Sequence, residues 1–194
     1  PGFGSMVHGS LPITKCEVAS FQSVCASGMM AIKNAYAQIK ANEKQNAICV
    51  ASELVSRLFK ASRFEAQNLD SLPFNAEFLR WMLSDGAGAF VLQNKKNESG
   101  VTLEIDWIDL QSHASVHPVC VYAGKIENRN EYEKSWLDYP SYEQASAAGA
   151  INLKQDVKLL DKVVKTGVDH YFELIEKGMI EKDKIDWLCC HYSS

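Results

Sequence analysis

Between residues 15 and 51 the hydrophobic period of the chain changes twice, and that switch restricts the fold more than any other feature. Residues 15–21, which include Val18 and Phe21, predict a strand. They run directly into Ser23-Val24-Cys25, after which Met29, Met30, Ile32, Ala35, Tyr36 and Ile39 recur at helical spacing. Residues 46–51, Asn-Ala-Ile-Cys-Val-Ala, form a short and almost uninterrupted apolar run, the pattern of a strand buried on both faces. Strand, tight turn, helix and strand make a βαβ unit.

Downstream the pattern is mixed. Amphipathic pieces at 54–64 and 76–82, broken at Leu72-Pro73, predict short helices joined by loops. Ser84-Asp85-Gly86-Ala87-Gly88 reads as a glycine-bearing turn into a strand at 89–93. A polar turn at 94–100 then leads to a second strand at 101–110, so the pair predicts a hairpin. Residues 111–149 hold His, Tyr and Trp without a sustained period and read as a long excursion of the kind that often carries function. Val157, Leu160, Val164, Val168, Tyr171, Leu174 and Ile175 mark one long amphipathic helix ending at Lys177-Gly178, a basic residue followed by a terminating glycine. A buried strand at 185–190 follows, which again suggests α/β layering. The division expected is 1–110, 111–149 and 150–194.

Composition limits the function classes. The chain of 194 residues is 46% hydrophobic and 23% charged, enough for a real core. A net charge of -4 and no basic stretch give no electrostatic reason for a nucleic-acid partner. The longest apolar runs, such as 87–92 and 187–190, fall far short of the ~20 residues a membrane-spanning helix needs. The six cysteines lack a C-x-x-C pair, and four lie in apolar or strand-like runs, so they read as reduced thiols of a cytoplasmic protein. His113 and His117 are four apart but have no third ligand in register, so no metal site is expected.

Cys25 is the candidate nucleophile. At a strand-to-helix turn, unpaired N–H groups and the helix dipole favour thiolate, lowering a thiol's pKa from ~8.5. The small residues Ala26, Ser27 and Gly28 leave room for a thioester to approach the sulfur and for its oxygen to meet a backbone N–H. The alternative is that Cys25, like Cys49, is a small buried apolar residue. Asp85-Gly86-Ala87-Gly88 lacks the Lys-Ser/Thr of a phosphate loop and precedes a strand. Gly86 and Gly88 therefore serve close backbone approach near the nucleophile, or a tight turn.

Three stretches carry a family likeness: residues 1–32 through Cys25-Ala26-Ser27-Gly28, residues 83–92 with Asp85-Gly86-Ala87-Gly88-Ala89, and residues 184–191 ending at His191. In that order they resemble the β-ketoacyl-acyl carrier protein synthase III family of thiolase-fold condensing enzymes, along nearly all of the chain apart from the excursion. The resemblance implies an α/β fold with layered α-β-α-β-α arrangement. Here it would be incomplete: the end of the first pseudo-repeat, a cap insertion and the start of the second, as in an internal fragment inactive by itself.

The resemblance further implies that Cys25 accepts an acyl group from acyl-coenzyme A or acyl carrier protein. His191 would help polarise a malonyl thioester in the decarboxylative Claisen step of fatty acid or polyketide-type biosynthesis. Backbone at Cys25, Gly86 and Gly88 would lie near the nucleophile. No permanently bound cofactor is implied, and a homodimer would form through the strand from Glu17 to Phe21. His191-Tyr192-Ser193-Ser194 departs from the family's His-Gln-Ala-Asn, and residues 111–149 differ from the usual family loop. Two other functions remain open: a relative passing the acyl group to an oxygen or nitrogen nucleophile, and a catalytically silent partner subunit.

Overall fold

The computed structural model describes residues 2–65, 67, 73–124 and 134–191. Leu72 of the Leu72-Pro73 break, residues 125–133 of the excursion and Tyr192-Ser193-Ser194 lie outside them. Helices and small sheets are mixed, consistent with an α/β fold. The chain divides into two compact units, Pro1–Leu54 with Asp85–Ser112, and Val55–Ser84 with His113–Ser194.

Unit 1 contains helix α1 (Phe3–Gly9), helix α2 (Ser27–Lys40), strand β1 (Asn46–Glu53) and strand β2 (Gly86–Gln93). A 3-10 turn, Val24–Ala26, leads into α2. β1 and β2 pair antiparallel over eight positions, from Asn46 opposite Gln93 to Glu53 opposite Gly86. α2 packs on β1, and a Cβ added at Gly28 would meet the Ala51 Cβ at 3.6 Å, an ordinary van der Waals contact. Ala35 and Cys49 are the buried apolar residues of this unit among those described.

Five expectations are corrected in unit 1. Residues 15–21 are not in a ladder among the described residues, and residues 11–20 are exposed throughout. Val18 and Phe21 gave the propensity for extended backbone, but propensity does not supply a partner strand. Residues 101–110 likewise form no strand, with Leu103 88% exposed, so β2 pairs with the distant β1 rather than in a hairpin. Gly86 and Gly88 belong to β2 instead of a turn preceding it. β1 is not buried on both faces, because Cys49 is its single buried residue. Met29 and Met30, which belong to the apolar helical period and would face a core, are exposed on α2.

Unit 2 holds α3 (Ala61–Glu65), α4 (Phe74–Met82), β3 (Val121–Ala123), α5 (Tyr142–Ala147), β4 (Leu153–Gln155) and α6 (Leu160–Glu176). β3 and β4 pair antiparallel, and α4 packs against β4. Val55, Ala76, Leu79, Ala145, Ala150, Leu159 and Leu174 supply its buried apolar residues. Buried Asn152 exchanges two amide hydrogen bonds with Gln67, at 3.1 and 3.0 Å, which satisfies polar groups that burial would otherwise penalise. Lys154 Nζ donates to the carbonyls of Gly124, at 2.6 Å, and Gly149, at 2.8 Å, joining two loops beside β4.

The long helix predicted from Val157 to Ile175 is present as a 3-10 turn at Val157–Leu159 followed by α6. It ends as the sequence indicates. Gly178 has φ of 70°, its N–H donates to Ile175 O at 2.9 Å, and the Met179 N–H donates to Leu174 O at 3.0 Å. These are the paired bonds of a left-handed glycine stop. The strand expected at 185–190 does not form: those residues are exposed, and Trp187 is 88% exposed. Its apolar run resembles a buried strand, but among the described residues no strand pairs with it.

Candidate functional site

Cys25 lies at the centre of the 3-10 turn that opens α2, and its side chain is exposed. The residue before it is unusual. Val24 has φ of 46°, a left-handed conformation that L residues with β-branched side chains rarely adopt. Hydrogen bonds close the turn around it. The Ser23 N–H donates to Ser27 Oγ at 2.8 Å, and Ser27 Oγ donates to Val24 O at 2.8 Å. The Ala26 N–H donates to Ser23 O at 2.9 Å.

A cavity of about 1170 Å³ lies in unit 1 beside this turn. Cys25, Ser27 and Gly28 form part of its wall, β1 another part, and Gly86, Ala87 and Gly88 of β2 a third. Residues 15–22 complete much of the remainder. That segment is tied to the α2–β1 connection by Glu17, whose carboxylate meets Lys44 Nζ at 2.6 Å. The hydrogen bond that Lys44 donates to the Glu17 carboxylate, reinforced by that carboxylate's charge, raises the Lys44 pKa above its ordinary value. Cys16 and Cys49 also line the cavity, and burial pushes the Cys49 thiol pKa up. Cys49 is therefore held as a neutral thiol over a wider pH range than a free cysteine.

Cys25, Gly86 and Gly88 thus share one cavity in the structure. An added Cβ at either glycine of β2 would meet nothing within 4 Å, so backbone there faces open space. His191 is an exposed residue of unit 2, at the end of the run that forms no strand. The His113 and His117 rings lie tilted at 46° with centroids 6.4 Å apart, and His117 Nε2 is 3.2 Å from Thr166 Oγ1. Among the described residues no group of three metal-ligating side chains comes together, and no helix is long and apolar enough to cross a membrane.

Two features of the turn escape the sequence reading. Valine carries no signal for positive φ, so the strain at Val24 is invisible in the residue type. Ser27 reads there only as a small residue. The available signal was its hydroxyl, because serine often bonds backbone groups three or four residues away.

Residues 15–98 match the family model described as Beta-ketoacyl synthase, N-terminal domain. The match takes in Cys25, β1, Gly86, Gly88 and β2. It supports a beta-ketoacyl synthase, thiolase-like family, and with it a transferase of the condensing-enzyme class. The matched ketoacyl synthase stretch ends before residues 111–149 and His191.

Proposed function

We propose that Cys25 is the acyl-accepting nucleophile of a β-ketoacyl-acyl carrier protein synthase III-like condensing enzyme. One observation carries this: Cys25 opens onto a cavity it shares with Gly86 and Gly88, inside the stretch that matches a ketoacyl synthase domain. The exposed thiol is accessible, and glycine backbone across the cavity leaves room for a thioester.

In the first half-reaction Cys25 Sγ bonds to the thioester carbonyl carbon of acyl-coenzyme A or acyl carrier protein. The donor's carbon–sulfur bond breaks, and its sulfur leaves as a thiol carrying the proton Cys25 has lost. Negative charge develops on the carbonyl oxygen, where backbone N–H groups at a helix-opening turn stabilise it. In the second half-reaction a malonyl thioester loses carbon dioxide. The electron pair of its broken carbon–carbon bond attacks the acyl carbon, and Cys25 departs as thiolate. His191 is assigned to the malonyl thioester oxygen in that step.

Acyl carrier protein and coenzyme A thioesters are accordingly the proposed partners, and the α-β-α-β-α layering of thiolases the proposed parent architecture. A homodimer through residues 17–21 belongs to the same proposal, supported by the exposure of residues 17–20 and by the segment's being in no ladder among the described residues.

The test is mass spectrometry of the purified full-length protein after incubation with acetyl-coenzyme A. An acetyl adduct on the Cys25 peptide, lost in Cys25→Ala, is the expected result; absence of any adduct there would sink the proposal. Addition of a malonyl thioester then separates the two chemistries. Release of carbon dioxide with a ketoacyl product supports condensation, whereas acyl transfer to oxygen or nitrogen without decarboxylation identifies a divergent acyltransferase.

A further inference from the structure

The turn that presents Cys25 is held in a costly conformation, and a single hydroxyl accounts for much of its closure. Val24 stands at φ of 46°, and 69% of its surface is exposed, so apolar burial does little to compensate its backbone strain. Ser27 Oγ accepts the Ser23 N–H and donates to Val24 O, both at 2.8 Å. It thereby bridges the two residues preceding Cys25 from a position two residues after it. Both functions of the hydroxyl are used, as acceptor on one side and donor on the other.

We infer that Ser27 is a positioning residue, fixing the Ser23–Ser27 turn so that the Cys25 sulfur faces the cavity. This rests on the acylation assigned to Cys25 above and deepens it by naming the group that holds the nucleophile's backbone. Ser23 and Val24 are exposed, so water replaces the lost bonds when the hydroxyl is removed. Alanine at 27 therefore loosens the turn without orphaning buried groups. Threonine keeps the hydroxyl and the bridge.

The experiment compares the native protein with Ser27→Ala and Ser27→Thr, following each cysteine peptide by mass spectrometry in the same samples. One arm measures acetyl transfer from acetyl-coenzyme A to Cys25. The other measures the rate of alkylation by iodoacetamide at one fixed pH, in which sulfur displaces iodide and the thiol proton passes to buffer. Ser27→Ala is expected to slow acetylation of Cys25 about tenfold, the scale of two ordinary hydrogen bonds, and to change its alkylation rate by a similar factor. Ser27→Thr restores both within about twofold of native, well inside the scale of one hydrogen bond.

Exposed Cys16 and Cys190 should keep their rates, and buried Cys49 should stay protected. Cys49 lies on β1, against which α2 packs, so its exposure in Ser27→Ala would reveal general loosening and overturn a positioning role. Unchanged Cys25 chemistry in Ser27→Ala would overturn it as well. If the native protein takes no acetyl group, the acylation proposal fails, while the alkylation arm still decides whether Ser27 positions Cys25.

Discussion

Val24, at φ of 46°, immediately precedes Cys25 in the chain, so the candidate nucleophile follows directly from a strained peptide. A β-branched residue in the left-handed region costs on the order of 1–3 kcal/mol. Glycine adopts that region freely, and the exposed Val24 side chain forfeits little burial when removed. Val24→Gly is expected to stabilise the protein by about 1 kcal/mol after the greater entropy of the unfolded glycine is counted. Urea denaturation should show the midpoint moving up at constant slope; a midpoint that falls would contradict the strain.

Cys49 provides a pH test. Burial raises its folded pKa above that of the unfolded chain, so the folded state retains its proton longer. The associated stability is fully present below the unfolded thiol's pKa and is lost as pH rises through the higher folded value. Denaturation midpoints should therefore decline at alkaline pH, beyond the usual thiol range, and Cys49→Ser, whose hydroxyl does not titrate there, should flatten that decline. An unchanged slope in the serine variant would assign the alkaline loss to other groups.

At the end of α6, Gly178 has φ of 70° and a Cβ built there meets nothing within 4 Å. The penalty of alanine is consequently one of backbone conformation alone. Gly178→Ala should cost about 1 kcal/mol, and Gly178→Asn less, because asparagine tolerates this region better. Thermal unfolding of both variants checks the order. Equal costs would place the requirement elsewhere.

The carboxylate of Glu173 is hydrogen-bonded first by Lys177 and then by His170, and both hold its pKa below the ordinary range. Glutamate four residues before lysine is also the favourable order along a helix. The stabilisation exists above the unfolded glutamate value and disappears as pH falls through the depressed folded value. Far-ultraviolet circular dichroism should show acid fraying that is weaker in Glu173→Gln, since that variant has no carboxylate to protonate. Identical acid profiles would remove Glu173 as its source.

How much the residues reveal by themselves differs between elements for a physical reason. α2 and α6 were legible because a helix closes its hydrogen bonds locally and writes a 3.6-residue period into its own sequence. Gly178 was legible because glycine serves a left-handed stop. β1 and β2 were recognisable as strands, yet Asn46 lies opposite Gln93, and no local pattern announces so distant a partner. The same limit explains residues 101–110 and 185–190, which have strand composition and no ladder among the described residues. Helix α1 was missed because Gly4 and Gly9 obscure its period and no side chain caps its start.

At the candidate site, Cys25 could be found from the change of period around it. The conformation of Val24 and the two-sided bond of Ser27 depend on the folded backbone, and residue type alone does not disclose them.

Gly86 and Gly88 leave one consequence for the cavity. Inside a strand, glycine gives up side-chain packing and adds unfolded-state entropy. Neither position requires left-handed backbone, and neither would crowd a methyl group against a neighbour. The fold of unit 1 would accept alanine at both. Glycine there conserves room rather than shape: β2 forgoes rigidity along a short length, and the space beside Cys25 is what gains.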